Sequence, residues 1–267
     1  MYNIIIGAGP AGIFTALELL KQGVEGRNIT IFEKGHPMAR RVCPKYKTKE
    51  CVNCQPCNIT TGFSGAGAFS DGKLSLSPDV GGDFPELVGY DTVQELINYI
   101  DSIYIEYGAH TKVEGVGKQD EIKQIRKEAI AAGLRLVDCP IRHLGTERAQ
   151  RIYQKLEDTL LEAGVTIFFD KEVTSLNIED GKCTGVWVDC ELYCADNIIV
   201  CTGRRGAAWL EDMCNKYDVK HIPGTVDIGV RVECRNEIMD KINELLSNSE
   251  AYEAMSNKLL SMAVPLK

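Results

Sequence analysis

The fold of this chain is decided by the stretch IIIGAGPAGIFTALELL, residues 4–20. Its three isoleucines form a short apolar run of the kind that fills a buried strand. A glycine-rich turn follows, and apolar residues then recur at helical spacing, at Ile13, Phe14, Leu17 and Leu20. The order of strand, glycine turn and helix predicts the first part of a βαβ unit that binds a dinucleotide.

The turn itself, Gly7 to Gly12, fits the pattern G-x-G-x-x-G. The first glycine of such a turn allows the chain to leave the strand sharply, and the second lets the backbone approach a pyrophosphate. The third allows the helix to pack closely against the sheet, and the phosphates lie at the positive N-terminus of that helix. Taken alone, the pattern is also compatible with an ordinary glycine-rich turn.

The context of the turn favours the functional interpretation. A second strand, residues 29–33, ends at Glu33, which stands 21 residues after Gly12. An acidic residue at this position accepts hydrogen bonds from a ribose hydroxyl in dinucleotide-binding folds. The strand before the turn, the helix after it and the acid together predict a cofactor site.

These features resemble the FAD-binding domain of the glutathione-reductase-like flavoproteins. Two later segments agree with the resemblance and follow in the expected order. Lys171-Glu172-Val173 resembles the place where that group reads the adenine through backbone contacts. The segment from Ile198 to Gly203 resembles its second conserved turn, with Cys201 in the place of the usual alanine. The resemblance implies FAD as the cofactor.

A narrower resemblance is to a bacterial family of FAD-dependent dehydrogenases of unassigned substrate. It rests on the segments Cys43–Leu74, Arg142–Thr146 and Asp227–Glu233. Such flavoproteins carry a Gly-Asp turn near the C-terminus, and after Gly206 this sequence has no such turn. The resemblance therefore implies a chain that lacks the C-terminal part of the family, or one that needs a partner to complete the flavin site.

The expected fold class is α/β, a Rossmann-like FAD-binding domain with a parallel sheet, helices and a β-meander. Residues 1–40 and 146–206 are expected to form that domain, residues 41–145 an inserted segment of loops and helices, and residues 207–267 the start of a substrate or cap domain. After the first βαβ unit, one helix is predicted to begin at a cap at Asp91 or Thr92, and two more lie near residues 120–132 and 147–163. Strands are predicted at residues 165–169, 172–178, 183–188 and 197–201. Two further helices are predicted in the C-terminal region.

Cys43, Cys51, Cys54 and Cys57 form the pattern C-x7-C-x2-C-x2-C. Cysteines two residues apart can bind one metal ion or cluster, and such runs occur in iron–sulfur ligation. Four thiolates suit structural zinc equally well. The pattern thus predicts a metal centre, an iron–sulfur cluster or zinc, with free thiols in a loop as the alternative.

The segment Gly62–Leu74 combines several glycines with Lys73. It is predicted to be a loop whose backbone N–H groups and ammonium group approach the cofactor. The alternative is a flexible surface loop. The basic residues after Glu33 are open to two interpretations, contact with cofactor phosphates or a solvated surface. The residues expected to contact the cofactor are Gly7, Gly9, Pro10, Ala11, Gly12, Glu33, Lys34, Arg41, Gly65, Gly67, Lys73, Val173, Thr202 and Gly203.

Composition narrows the function further. The chain of 267 residues has a formal net charge of −8, which disfavours a general nucleic-acid binder. No apolar run approaches the roughly 20 residues of a membrane-spanning helix. Because the first predicted strand lies close to Met1, we expect no signal peptide. The expectation is a cytoplasmic FAD-dependent oxidoreductase acting on a small molecule or an electron carrier. A flavin-binding or electron-relay module without turnover of its own is the alternative.

Overall fold

The computed structural model describes residues 1–70, 72–117 and 119–224, together with Arg235. The chain divides into two compact units. The first consists of residues 1–72 and 145–222, and the second of residues 73–144 and those from 223 onward. The predicted C-terminal helices and the motif Asp227–Glu233 lie outside the described residues.

Nine strands lie within the described part of the chain. They are, in order, β1 (Asn3–Ile6), β2 (Ile29–Glu33), β3 (Lys73–Ser75), β4 (Ile141–His143), β5 (Thr166–Phe169), β6 (Val173–Glu179), β7 (Lys182–Val188), β8 (Glu191–Cys194) and β9 (Asn197–Val200). The α-helices of the same residues are α1 (Pro10–Lys21), α2 (Lys45–Thr48), α3 (Phe84–Val88), α4 (Tyr90–Glu106), α5 (Gln119–Ala131), α6 (Thr146–Glu162) and α7 (Ala207–Lys216).

The first unit is built on a four-stranded parallel sheet in the order β5-β2-β1-β9. Ile6 of β1 lies opposite Phe32 of β2 on one side and Val200 of β9 on the other. Every residue of β1 and β2 is buried, as expected for central strands of a parallel sheet that is covered on both faces. Because parallel strands end at the same edge, the turns after β1 and β9 meet there, together with Glu33 at the end of β2.

The second layer of this unit is the antiparallel meander β6-β7-β8. Its inward side packs against the parallel sheet, where Ile4, Ile6 and Phe32 form one buried cluster with Val186 and Val188. Phe32 stacks on Phe168 with ring centroids 5.2 Å apart. The parallel sheet, its helices and the meander confirm the predicted α/β, Rossmann-like fold.

The second unit contains the antiparallel pair β3-β4 and the helices α3 to α5. Helix α4 begins at Tyr90 after Gly89, so the predicted cap at Asp91 or Thr92 is wrong. Asp91 lies instead in the first turn of the helix, which has no side-chain capping hydrogen bond. A carboxylate there stabilises the helix through the partial positive charge of the N-terminus. Among the described residues, no helix is long and apolar enough to cross a membrane.

Candidate dinucleotide and thiol site

The three glycines of the turn after β1 differ in what surrounds them. Gly7 has a φ of 100°, and a Cβ atom placed on it would lie 2.6 Å from the carbonyl oxygen of Cys201. A Cβ on Gly12 would lie 2.0 Å from the carbonyl oxygen of Gly7. A Cβ on Gly9 would meet no atom within 4 Å. Gly7 and Gly12 are therefore required by the fold itself, whereas Gly9 leaves open space above the backbone.

That open space lies at the N-terminus of helix α1. Gly9 is the residue before the helix, Pro10 is its first residue, and no side chain caps it. The first intrahelical bond runs from the N–H of Ile13 to the carbonyl of Gly9, at 3.0 Å. N–H groups in the first turn of a helix have no partner within it, and they carry partial positive charge. This terminus is therefore suited to an anionic group.

Glu33 lies beside the same turn and is 6% exposed. One carboxylate oxygen accepts a hydrogen bond from the N–H of Ala8 at 2.8 Å. The other accepts from the N–H of Gly35, also at 2.8 Å. The carboxylate thus holds the turns after β1 and β2 together, and each oxygen keeps lone pairs for a further donor.

A cleft of about 680 Å³ opens over the ends of these strands. Its volume lies within the range of cofactor and ligand pockets, roughly 300–1,000 Å³. Ten of the residues predicted from the sequence line it together. They are Gly7, Gly9, Pro10, Ala11, Glu33, Lys34, Gly65, Val173, Thr202 and Gly203.

The other four predicted residues lie elsewhere. Gly12 is packed beneath the turn, and Gly67 faces the hydroxyl of Tyr153, which a Cβ on it would approach to 3.0 Å. Lys73 begins β3 in the second unit. Arg41 is buried below the loop that lines the cleft and is not part of the lining.

The structure adds lining residues that the motifs did not identify: Thr60, Thr61, Arg204, Arg205 and Trp209. The two arginines directly follow Thr202-Gly203, so adjacency to that turn was a usable signal. Nothing in the sequence pointed to the threonines. The Nε of Arg205 donates to Oγ1 of Thr60 at 3.2 Å, which links the segments 57–61 and 203–206 at the rim of the cleft.

Two residues that line the cleft, Lys34 and Cys201, have their charge affected by neighbouring groups or by burial. Lys34 forms an ion pair with Glu172 at 3.2 Å, so the cation that follows Glu33 is partly neutralised by another residue of the cleft lining. Burial raises the pKa of the Cys201 thiol, and a hydrogen bond from Thr15 only partly opposes this. Cys201 is therefore a neutral, compact group at neutral pH, in keeping with its place where the resemblance has an alanine.

Arg41 fixes the loop below the cleft. Its Nε donates to the carbonyl of Asn58 at 2.9 Å, and its Nη2 to the carbonyl of Ile59 at 2.7 Å. Its Nη1 donates to the carbonyl of Phe63 at 2.5 Å and to Oγ of Ser64 at 2.8 Å. The guanidinium thus joins the end of the cysteine segment to the glycine-rich segment.

Burial lowers the pKa of Arg41 from its ordinary value to about 10, against the raising effect of the negative charges of Glu33 and Cys57. The side chain therefore stays protonated at neutral pH and keeps its donors. The glycine-rich segment that it holds reaches the dinucleotide turn, since the N–H of Ser64 donates to the carbonyl of Ala8 at 2.8 Å. This contact places Gly65 in the lining of the cleft.

Cys43, Cys51, Cys54 and Cys57 line one further cavity of about 380 Å³. All four are free thiols. Within the described residues, no group of three or more His, Cys, Asp or Glu side chains is arranged so that it could hold a metal ion. The structure therefore brings the four thiols to one cavity without forming the predicted ligand set, and the metal centre stays a prediction.

Cys57 differs from the other three thiols in its surroundings. Hydrogen bonds from the backbone N–H groups of Ile59 and Thr60 lower its pKa, with smaller contributions from the Thr60 side chain and the charge of Arg205. These effects outweigh the opposing effect of burial. Cys57 is thus more readily ionised than an ordinary cysteine.

Comparison with known proteins agrees with this geometry. Residues 4–71 match a family model described as FAD-NAD(P)-binding. The chain is 24% identical over 247 residues to an uncharacterized protein of Clostridium beijerinckii, an alignment that covers 92% of this chain and 38% of that protein.

The solved structures that are similar in part include two enzymes. L-proline dehydrogenase from P. horikoshii is 16% identical with a TM-score of 0.49, over 83% of this chain and 57% of the enzyme. Glycine oxidase from Bacillus cereus is 14% identical with a TM-score of 0.45, over 82% of this chain and 58% of the enzyme. The chain thus spans about two fifths of the curated relative and under three fifths of these two enzymes. The match to the family model and the parallel sheet with its glycine turn define an FAD/NAD(P)-binding domain of Rossmann type.

Proposed function

We propose that this chain binds FAD and forms the cofactor-binding part of a flavin-dependent oxidoreductase of the bacterial dehydrogenase family that its motifs resemble. The observation that supports this most strongly is the combination, in one cleft, of the open backbone at Gly9, the uncapped start of α1 and the buried carboxylate of Glu33. This combination provides donors for a pyrophosphate and an acceptor for a ribose.

Residues of the cleft are suited to three parts of such a cofactor, the pyrophosphate, the ribose and the adenine. The turn from Gly9 to Ala11 would hold the pyrophosphate, and Glu33 the adenosine ribose. The segment Lys171–Val173 borders the same cleft, where the adenine would lie. FAD carries hydride or single electrons, while the protein binds and orients it. We propose a small molecule or an electron carrier as the substrate and the cytoplasm as the location.

A flavin-binding or electron-relay module without turnover is the second candidate function. It is favoured by the composition of the cleft, because no histidine occurs among the described lining residues. The more buried of the two lining glutamates, Glu33, already accepts two backbone hydrogen bonds. The described lining thus offers no histidine for proton transfer, and its buried carboxylate is engaged with the backbone.

Flavin analysis and reduction separate these proposals. We expect the purified chain to contain or take up FAD at one molecule per chain, identified by its mass after release with acid. Recovery of no flavin under saturating FAD would refute cofactor binding. If bound FAD bleaches anaerobically with NADH or NADPH, turnover is supported, and if only a strong chemical reductant bleaches it, the relay function is supported.

Glu33 provides a test of the ribose contact. We expect Glu33→Ala to weaken FAD binding by about 5- to 150-fold, corresponding to about 1–3 kcal/mol for a hydrogen bond to a charged group. Glu33→Gln should also weaken it, because the amide has one oxygen for the two N–H groups of Ala8 and Gly35. Fluorescence titration with FAD measures the affinities.

An FAD analogue with 2′-deoxyadenosine in place of adenosine separates the ribose contact from the role of Glu33 in the turn. The wild-type chain should bind the analogue more weakly than FAD, whereas Glu33→Ala should bind both with similar affinity, as in a double-mutant cycle. A variant that still discriminates as strongly as the wild type would place the ribose away from Glu33.

A further inference from the structure

The cavity that contains the four thiols also contains three basic side chains. We call it the thiol cavity and define it by Cys43, Cys51, Cys54 and Cys57 with Lys34, Lys45 and Arg205. None of the described residues that line it is an aspartate or a glutamate. Glu33 and Glu50 each directly precede a lining residue but lie outside the lining, and Glu172 pairs with Lys34 from the neighbouring cleft. The lining therefore carries an excess of positive charge.

The sequence around the cavity has the same bias. Residues 35–70 contain five lysines and arginines and one acidic residue, although the whole chain has a net charge of −8. Part of this charge has a structural use, because Arg41 holds backbone carbonyls and Arg40 pairs with Asp170 at 2.5 Å. Lys45 and Arg205 form no ion pair with an acid among the described residues, and both face the cavity. These two cations make the thiol cavity attractive to anions.

The thiol cavity adjoins the cleft of about 680 Å³ over the ends of the parallel strands. Lys34, Thr61 and Arg205 line both spaces, so a molecule in the cavity lies next to the segment that borders the cofactor. The volume of about 380 Å³ suits a small organic molecule and not a second dinucleotide. An attractive, confined space beside a cofactor cleft is a common arrangement for a small ligand.

We propose that the thiol cavity binds a small anion, held by Lys45 and Arg205 beside the four thiols. Carboxylates and phosphates share the required chemistry, since both accept hydrogen bonds from a guanidinium and an ammonium group. The proposal rests on the charges and thiols of the cavity lining, so it does not depend on the proposed flavin function.

The thiols themselves report on the charge of the cavity. Iodoacetate and iodoacetamide alkylate cysteine in the same way, but only iodoacetate is an anion. The rate ratio at a cysteine is its alkylation rate with iodoacetate divided by its rate with iodoacetamide. At low ionic strength we expect this ratio to be about 3- to 10-fold higher at Cys51 and Cys54 than at Cys190. Cys190 is the internal reference because it is exposed and stands between Asp189 and Glu191. Peptide mass spectrometry of the native chain measures each site.

Variants show whether the two cations cause the difference. Lys45→Gln and Arg205→Gln should each lower the ratio at Cys51 and Cys54 by about 2- to 3-fold and leave Cys190 unchanged, while Lys45→Arg and Arg205→Lys should preserve it. Malonate and inorganic phosphate are the ligand probes, and slower alkylation in one of them identifies the preferred anion. The assay is run with and without added FAD, which keeps its outcome separate from that of the flavin experiment.

Three results would overturn the proposal. The first is a rate ratio that is the same in both glutamine variants as in the wild type. The second is alkylation that neither malonate nor phosphate slows at millimolar concentration. The third is stoichiometric zinc, or iron with acid-labile sulfide, together with thiols that resist both reagents. That last result would make the cavity the metal centre predicted from the cysteine spacing.

Discussion

Gly9→Val is expected to abolish FAD binding while leaving the fold intact. The backbone at Gly9 is extended, with a φ of −73° and a ψ of 179°, a conformation that valine adopts readily. A Cβ there would meet no atom of the described residues within 4 Å, and Gly9 lines the cleft, so a valine side chain would project into it. It would occupy the path by which a pyrophosphate approaches the start of α1. We expect the dissociation constant for FAD to rise by at least ~100-fold, a cost of about 3 kcal/mol.

Two other glycines serve as controls for this variant. Gly224→Val makes the same change in open space outside the cleft, and it should change neither FAD binding nor the melting temperature. Gly12→Val should unfold the unit, because its Cβ would lie 2.0 Å from a backbone oxygen. Circular dichroism reports the fold, and flavin fluorescence the binding. Stoichiometric FAD in a folded Gly9→Val chain would show that the cofactor does not pass over this turn.

The central part of the fold was predictable because its signals are local. The isoleucine run, the glycine turn and the helix all lie within residues 4–20, so one short window of sequence contains the whole pattern. The strand that ends at Glu33 is entirely buried, so its apolar composition indicated it directly. Ten of the fourteen residues expected at the cofactor therefore line one cleft.

Elements that depend on the rest of the chain were missed. Strand β8, residues 191–194, consists of exposed and half-exposed residues, so its sequence has no alternation of apolar and polar residues that would predict a strand. It forms because it pairs with β7. Helix α7 follows the turn at Gly203 and buries only Met213. Thr60 and Thr61 reach the cleft because Arg41 holds the segment before them, a contact that no short motif encodes.

Arg41 itself was expected to contact the cofactor, and the structure gives it another role with a testable consequence. We expect Arg41→Met to lower the free energy of unfolding by about 2–4 kcal/mol. The methionine keeps an apolar stem but removes the donors to the carbonyls of Asn58, Ile59 and Phe63, and each buried acceptor left unpaired costs about 1 kcal/mol or more. Relief of the cost of burying a charge offsets part of this loss. Urea unfolding measures the difference.

Arg40→Met is the matched control, since the neighbouring arginine is exposed and pairs with Asp170 only at the surface. It should cost less than about 1 kcal/mol. Arg41→Lys should fall between the two, because one ammonium group cannot reach all the acceptors that a planar guanidinium does. In Arg41→Met, the segment 57–61 also loses its connection to the glycine-rich loop, so alkylation of Cys57 should become faster and FAD binding weaker. Equal stability of the two methionine variants would mean that water replaces the guanidinium at these carbonyls, and that Arg41 does not hold the loop in place.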